Sequence, residues 1–188
     1  MNVHSSKLNA LKKEATLLAV RQGLHATSMA QIARSANIAV GTIYLYYSGK
    51  DELYGSLLSD YYDQLTDLLT EPPYTTDFKE VLRLNFDNLK NHLSGNANRF
   101  QLFLQLRQLS PYSERAKAQR REFEQKLSLI MEEGKTQVLL KNLSINCLAT
   151  LFFEGICSIS QYELEHPNDH SFQTPELLKE ACFMGLFK

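Results

Sequence analysis

The sequence predicts an all-α protein of about nine helices, with a small N-terminal domain and a larger helical body. Three observations predict it. Apolar residues recur three and four positions apart along most of the chain, and no stretch alternates apolar and polar as a half-buried strand does. Helix-stop signals divide that pattern at Gly23, Ser48-Gly49, Glu71-Pro72-Pro73, Ser94-Gly95-Asn96 and Ser110-Pro111. Of the 188 residues 44% are apolar, without repeats or low-complexity tracts, which is enough to bury a sizeable core.

The first helix is expected from about Ser6 to Gln22. Leu8, Leu11, Ala15 and Leu18 line one face, Lys7, Lys12 and Lys13 the other, and Gly23 ends it. Ser28 followed by Gln31 is a capping-box pattern that starts a second helix. Met29, Ile32, Ala33 and Ala36 give it an apolar face, and the small Ala33 permits close approach of a neighbour. Asn37 follows, a residue that tolerates the left-handed backbone of a helix end, and Ile38 can plug the turn. A third helix is expected over about Val40 to Tyr46. Ile43 and Tyr47, four apart, pack inward, while Val40, Thr42 and Tyr46 point elsewhere; Tyr44 is open between core and surface. Lys50-Asp51-Glu52-Leu53 restarts a helix, with acids in its first turn as the helix dipole favours.

That fourth helix carries Leu53, Leu57, Tyr61, Leu65 and Leu68. A fifth, from about Thr76 to Leu93, points Phe78, Val81, Leu82, Phe86 and Leu89 inward, and a sixth covers about Ala97 to Leu109. The seventh, about Ser113 to Gln137, opens with Glu114, Arg115, Lys117, Arg120, Arg121 and Glu122. Such mixed charges read as a solvated face rather than a second nucleic-acid patch. The eighth, capped by Ser144 and running to about Leu164, is apolar nearly all round, so it must be covered on every side. The ninth, Pro175 to Phe187, adds Leu177, Leu178, Ala181, Cys182, Met184 and Leu186.

Net charge is −1, but it is unevenly spread. Residues 1–50 hold six bases and one acid, a net of +5, which leaves −6 on the remaining 138 residues. The basic head coincides with the helix-turn-helix pattern, as an electrostatic footprint for DNA would. Cys147, Cys157 and Cys182 are widely spaced in apolar helical surroundings, which fits buried thiols in a reducing compartment rather than a disulfide framework. The N-terminus lacks an apolar signal core, and the most apolar stretch, Ile145 to Ile159, is shorter than the ~20 residues of a membrane span. A cytoplasmic protein is expected.

From Ser28 to Leu53 the chain resembles the DNA-binding segment of TetR-type bacterial transcriptional regulators, T-x-x-x-IA-x-x-AGVS-x-GTLY-x-HF-x-x-K-x-x-L. The matching residues are Ser28, Ile32-Ala33, Ala36-Asn37-Ile38-Ala39, Gly41-Thr42-Ile43-Tyr44, Tyr46-Tyr47, Lys50 and Leu53. Three positions depart. Asn37 replaces the usual Gly of the turn, Ser28 replaces Thr and keeps its hydroxyl, and Ala39 replaces the Ser that caps the recognition helix. That last loss should cost about 0.5–2 kcal/mol. Beyond the first third of the chain only helical content and length match.

The resemblance implies a DNA-binding domain over residues 1–52, with its recognition motif at about 28–47, and a ligand-binding and dimerisation domain over 53–188. A homodimer would place two recognition helices in successive major grooves of a palindromic operator, about 34–36 Å apart. Val40, Gly41 and Thr42 would form the exposed start of the recognition helix, with Thr42 on a base edge and Gly41 letting the backbone come close, and Tyr44, Tyr46, Lys50 and Ser28 would meet the phosphates. A small apolar or aromatic effector in the body, releasing a repressor from its operator, would find Tyr61, Phe86, Phe100, Phe103, Leu104, Phe123 and Phe152 as a lining; ordinary core packing is the competing account of each. The last two helices would form the dimer interface through Leu148, Phe152, Gly155, Ile159, Leu178 and Cys182, against the alternative of a purely intrachain core.

No HExxH, CxxC, GxGxxG, P-loop or nucleophile-elbow motif is present, so neither an enzyme nor a cofactor is expected. The one metal-like cluster, His166 and His170 beside Glu163, Glu165 and Asp169, has no matching ligands elsewhere, and no metal site is expected. The competing functional classes are a helical scaffold that does not bind DNA and a small all-α enzyme.

Overall fold

A computed structural model describes residues 3–71, 77–109, 113–167 and 174–188. Among these lie nine helices: α1 (Val3–Gln22), α2 (Met29–Ser35), α3 (Val40–Ile43), α4 (Lys50–Leu68), α5 (Phe78–Ser94), α6 (Ala97–Gln108), α7 (Glu114–Thr136), α8 (Ile145–Glu165) and α9 (Thr174–Leu186). The all-α expectation holds. The predicted stops at Pro72-Pro73 and Pro111, the start at Thr76, and the residues Asp169 and His170 lie outside the described residues. None of the helices among the described residues is long and apolar enough to cross a membrane.

The chain forms two compact units, Met1–Tyr62 with Asn98–Arg120, and Asp63–Ala97 with Arg121–Lys188. The division falls inside α4, after its third turn.

In the first unit, α1 buries Leu11, Ala15 and Ala19 with Thr16, while Leu8 and Leu18 stay half-exposed. The inward face is therefore turned from the expected one. Small alanines at that face let the Tyr54 ring of α4 come close, and its hydroxyl donates to the Ala15 carbonyl at 3.4 Å. An ion pair between Lys12 and Asp60 adds a second tie between these helices. Gly23 ends α1 in the left-handed region, φ 87°, as its position predicted. On α4, Leu53, Tyr61 and Leu65 are buried as expected, but Tyr54, Leu58 and Tyr62 join them, and Leu57 and Leu68 remain half-exposed. A strict four-residue step drifts off the face of a 3.6-residue helix, so the stripe broadens onto the neighbouring positions.

In the second unit, α5 is capped by Asp77, which accepts from the Lys79 N–H at 2.9 Å. It buries Phe78, Val81, Leu82, Phe86 and Leu89, the predicted set, together with Asn85 and Leu93. Asn85 is satisfied by the Thr70 backbone, at 2.7 Å from its N–H and 2.9 Å to its carbonyl. The Phe86 ring meets Phe152 of α8 and Phe183 of α9, at 6.2 and 5.7 Å between centroids. Burial of such a ring stabilises by roughly 1.5–3 kcal/mol. Gly134 of α7 is a site of close approach: a Cβ there would lie 2.3 Å from Phe78 Cζ. Nothing in the sequence pattern marks it. After α7 the chain pairs with its own last residues. Lys141 N–H donates to Leu186 O at 2.8 Å and Lys188 N–H to Leu139 O at 3.1 Å.

Candidate nucleic-acid interface

The segment from Ser28 to Leu53 builds a site from local hydrogen bonds. Ser28 Oγ accepts the Gln31 N–H at 3.2 Å, and the Ser28 N–H donates to Gln31 Oε1 at 2.8 Å, completing the predicted capping box. The other end of α2 is closed by a paired turn. Asn37 N–H donates to Arg34 O at 3.0 Å and Ile38 N–H to Ala33 O at 2.9 Å, with Asn37 at φ 54°. This is a Schellman motif, and Asn37 occupies its left-handed position as the sequence led one to expect.

α3 is shorter than predicted. Only Val40–Ile43 are α-helical; Leu45 and Tyr46 bond back three residues, to Thr42 and Ile43 carbonyls at 3.2 and 3.1 Å. The Ala39 cap position carries no side-chain hydrogen bond. Val40, Thr42 and Ile43 are β-branched and Gly41 is a poor helix former, so an uncapped helix of this composition tightens after one turn. Ile43 and Tyr47 anchor the segment, fully and nearly fully buried. Between and before them, Gly41 and Tyr44 are exposed, and Val40, Thr42 and Tyr46 half-exposed. Tyr44, 52% exposed, is thus a surface residue. Sequence reading passed over Leu45, which is 83% exposed. Its place midway between the two buried anchors was the available signal.

Lys50 has a place that motif spacing did not reveal. Its ammonium donates to the carbonyls of Leu24, His25 and Thr27 at 2.8, 3.3 and 3.2 Å. It clamps the α1–α2 turn to the start of α4, using an ammonium's three donors. Two residues on, the Glu52 carboxylate accepts the Ser48 N–H and hydroxyl at 2.6 and 2.7 Å, and these bonds hold its pKa below the ordinary value. The Ser48-Gly49 turn is thereby fixed on both sides.

The seven aromatic-pocket residues do not fall in one unit. Tyr61, Phe100, Phe103 and Leu104 belong to the first, Phe86, Phe123 and Phe152 to the second. Tyr61 stacks on Phe103 at 4.5 Å beside a cavity of about 10 Å³, the room of a single water. Phe123 packs against Phe153 at 4.7 Å.

The candidate interface residues need correction. Leu148, Phe152 and Ile159 are buried within their own chain, turned toward the core that α8 makes with its neighbours, and a side chain buried once is not free to be buried again by a partner. Gly155, Leu178 and Cys182 are partly exposed. Gly155 is where α8 and α9 approach, since a Cβ on it would stand 2.8 Å from Cys182 Sγ. The exposed apolar positions of these helices are instead Cys147 and Leu151 on α8 and Leu177, Ala181 and Met184 on α9. The helix is less apolar all round than its composition implied, with Thr150, Glu154 and Ser158 sharing this outer side.

The model of the family described as bacterial regulatory proteins, tetR family, matches residues 13–57, which contain the segment just described. Over those residues the chain is similar to the DNA-binding segment of the TetR family. An HTH-type transcriptional regulator of Haemophilus influenzae is 56% identical over 36 residues, a stretch that spans 19% of this chain and 19% of that relative. Solved structures of transcriptional regulators share the fold over nearly the whole chain. A Marinobacter aquaeolei regulator superposes with a TM-score of 0.82 at 21% identity, covering 98% of this chain and 97% of that one. A Haemophilus influenzae regulator does so with 0.78 at 22%, covering 100% of both. FadR of Bacillus subtilis, solved in complex with stearoyl-CoA, superposes with 0.71 at 21%, covering 95% and 97%.

Proposed function

We propose that the chain is a cytoplasmic, dimeric TetR-type repressor that binds a palindromic operator and is released by a small ligand. The observation that carries this reading is the recognition segment. Two residues, Ile43 and Tyr47, hold it in the core, and every residue expected to touch DNA between Val40 and Tyr46 reaches the surface. Thr42 meets a base edge with its hydroxyl or a thymine methyl with its own. Tyr44 and Tyr46 bind phosphates. Lys50 acts as a positioning residue, because its charge is spent on three carbonyls; what it offers DNA is the fixed first turn of α4 and its free N–H groups. Ser28 has its hydroxyl engaged by Gln31 and contributes in the same indirect way.

The exposed apolar positions Cys147, Leu151, Leu177 and Ala181 support dimerisation through α8 and α9. A long-chain acyl thioester, as bound by FadR of Bacillus subtilis, or another apolar molecule is the effector class this reading favours. The rings are close-packed, so such a ligand would have to part them.

The test is a mobility shift with the DNA upstream of the chain's own gene, over a salt series. Wild type should bind with a steep salt dependence. Thr42→Ala should lose about 1–3 kcal/mol on the true operator and little on other sequences. Tyr44→Phe should lose about 1 kcal/mol on all sequences alike. Absence of any shift at low salt, with a folded dimer present, would sink the DNA reading in favour of a scaffold.

A further inference from the structure

The second unit carries a cleft that the DNA reading does not use. It is an open cleft between the start of α5 and the end of α9, with room of about 370 Å³, within the roughly 300–1,000 Å³ of small-molecule sites. Its floor is a pair of phenyl rings. Phe183 and Phe187 stack with centroids 5.9 Å apart and planes at 15°. Its wall is a pair of cations one turn apart on α5. Lys79 Nζ sits 5.2 Å from the Phe187 centroid and Arg83 Cζ 5.0 Å from that of Phe183. Lys141 closes another side, fixed by a bond from its ammonium to the Met184 carbonyl at 2.6 Å. The backbone pairing of 139–141 with 186–188 holds the cleft in shape without a ligand.

The charges do not balance. Glu180, the acid in the cleft, is paired to Arg83 at 2.8 Å. Asp87 and Glu176 act on Arg83 from farther off, and Asp87 is itself paired with Lys179 at 2.6 Å. Neither Lys79 nor Lys141 forms an ion pair with a described carboxylate, and Lys188 adds a further ammonium at the rim. Lys79 is held over a ring face, which sets an exposed cation beside an apolar floor. Met184, 68% exposed at the edge, offers apolar surface with no cover of its own.

We propose that this cleft binds a small organic anion, an aryl carboxylate or aryl phosphate ester, with its charged group on Lys79 and Lys141 and its ring against Phe183, Phe187 and Met184. Preformed walls keep the ordering cost of binding low. The site is independent of the operator reading, because its occupancy is measured without DNA.

The experiment is a titration of the full-length ¹⁵N-labelled protein with phenyl phosphate, followed by amide shifts, with inorganic phosphate and phenol as separate arms. The expected result is saturable shifts confined to the amides around 79–83, 141 and 183–187, with each half-ligand at least about tenfold weaker than phenyl phosphate. A Lys79→Gln/Lys141→Gln variant, both positions at the surface, should weaken phenyl phosphate by a similar factor. Shifts that fail to saturate or fall elsewhere overturn the proposal, as does inorganic phosphate binding as well as phenyl phosphate. Undiminished binding to a folded double variant also overturns it, and should that variant not fold, the three wild-type arms decide alone.

Discussion

Two helices of this chain end with the same backbone pattern and a different residue at its left-handed position. After α2 that residue is Asn37, φ 54°; after α7 it is Val138, φ 59°. In each, the following N–H reaches back five residues, Ile38 to Ala33 O at 2.9 Å and Leu139 to Gly134 O at 3.1 Å. Asn enters this region readily. A β-branched residue does not, and the left-handed form costs an ordinary L-residue about 1–2 kcal/mol. The end of α2 is thus written in its own residues. The end of α7 is imposed from outside: Gly134 admits the Phe78 ring, Leu140 is buried, and residues 139–141 pair with 186–188. Local chemistry specifies this turn of the head, and distant contacts specify the corresponding turn of the body.

The contrast can be broken most forcefully at Leu140. Leu140→Ala, at a residue only 2% exposed, should lower the unfolding free energy by about 2–5 kcal/mol in urea titrations. A loss no larger than that of a surface substitution would mean that this contact does not hold Val138 in place. Asn37→Val carries the strain of the second end into the first. It should cost about 1–2 kcal/mol in the same measurement, and a neutral result would erase the distinction between the two turns. Val138→Gly runs the other way. Relief of about 1–2 kcal/mol, offset by the roughly 0.5–1 kcal/mol that glycine's freedom costs, leaves a net gain of up to ~1.5 kcal/mol.

The smallest effects separate the two regions by pH. Near the head, Glu52 has its pKa lowered by the Ser48 hydroxyl and N–H. The unfolded chain therefore binds this proton more readily, and the stabilisation present at neutral pH is lost as pH falls below about 4.5. Glu52→Gln should flatten that acid limb. In the body, burial pushes the Cys182 thiol from 9.0 to about 11. Here the folded chain keeps a proton that the unfolded chain releases, so stability is intact below pH 9 and declines from there toward 11. Cys182→Ser should remove that alkaline decline.

The same division explains what was legible in the sequence. The capping box at Ser28, the left-handed Asn37, the missing cap at Ala39 and the inward pair Ile43 and Tyr47 each depend on residues within five positions of one another, and each could be read. The Lys50 clamp depends on carbonyls 23 to 26 residues away, and carbonyls carry no mark of residue type. On α8 the quantity of apolar surface was plain, but which side faced the core depended on Phe86 and Phe183, distant in sequence. Hence Leu148, Phe152 and Ile159, expected against a partner, face the core of their own chain. Gly134 gave no warning because its importance lies in the atom it lacks.

The pairing of 139–141 with 186–188 has a mechanical consequence. Its two bonds lie one beyond the other along an antiparallel bridge, Lys188 to Leu139 and then Lys141 to Leu186. A force drawn outward on Lys188 loads them in succession, as in opening a zip, rather than together as in shear. The chain therefore yields first at this seam at low tension, and release of the seam would let Val138 relax before α9 bears any strain.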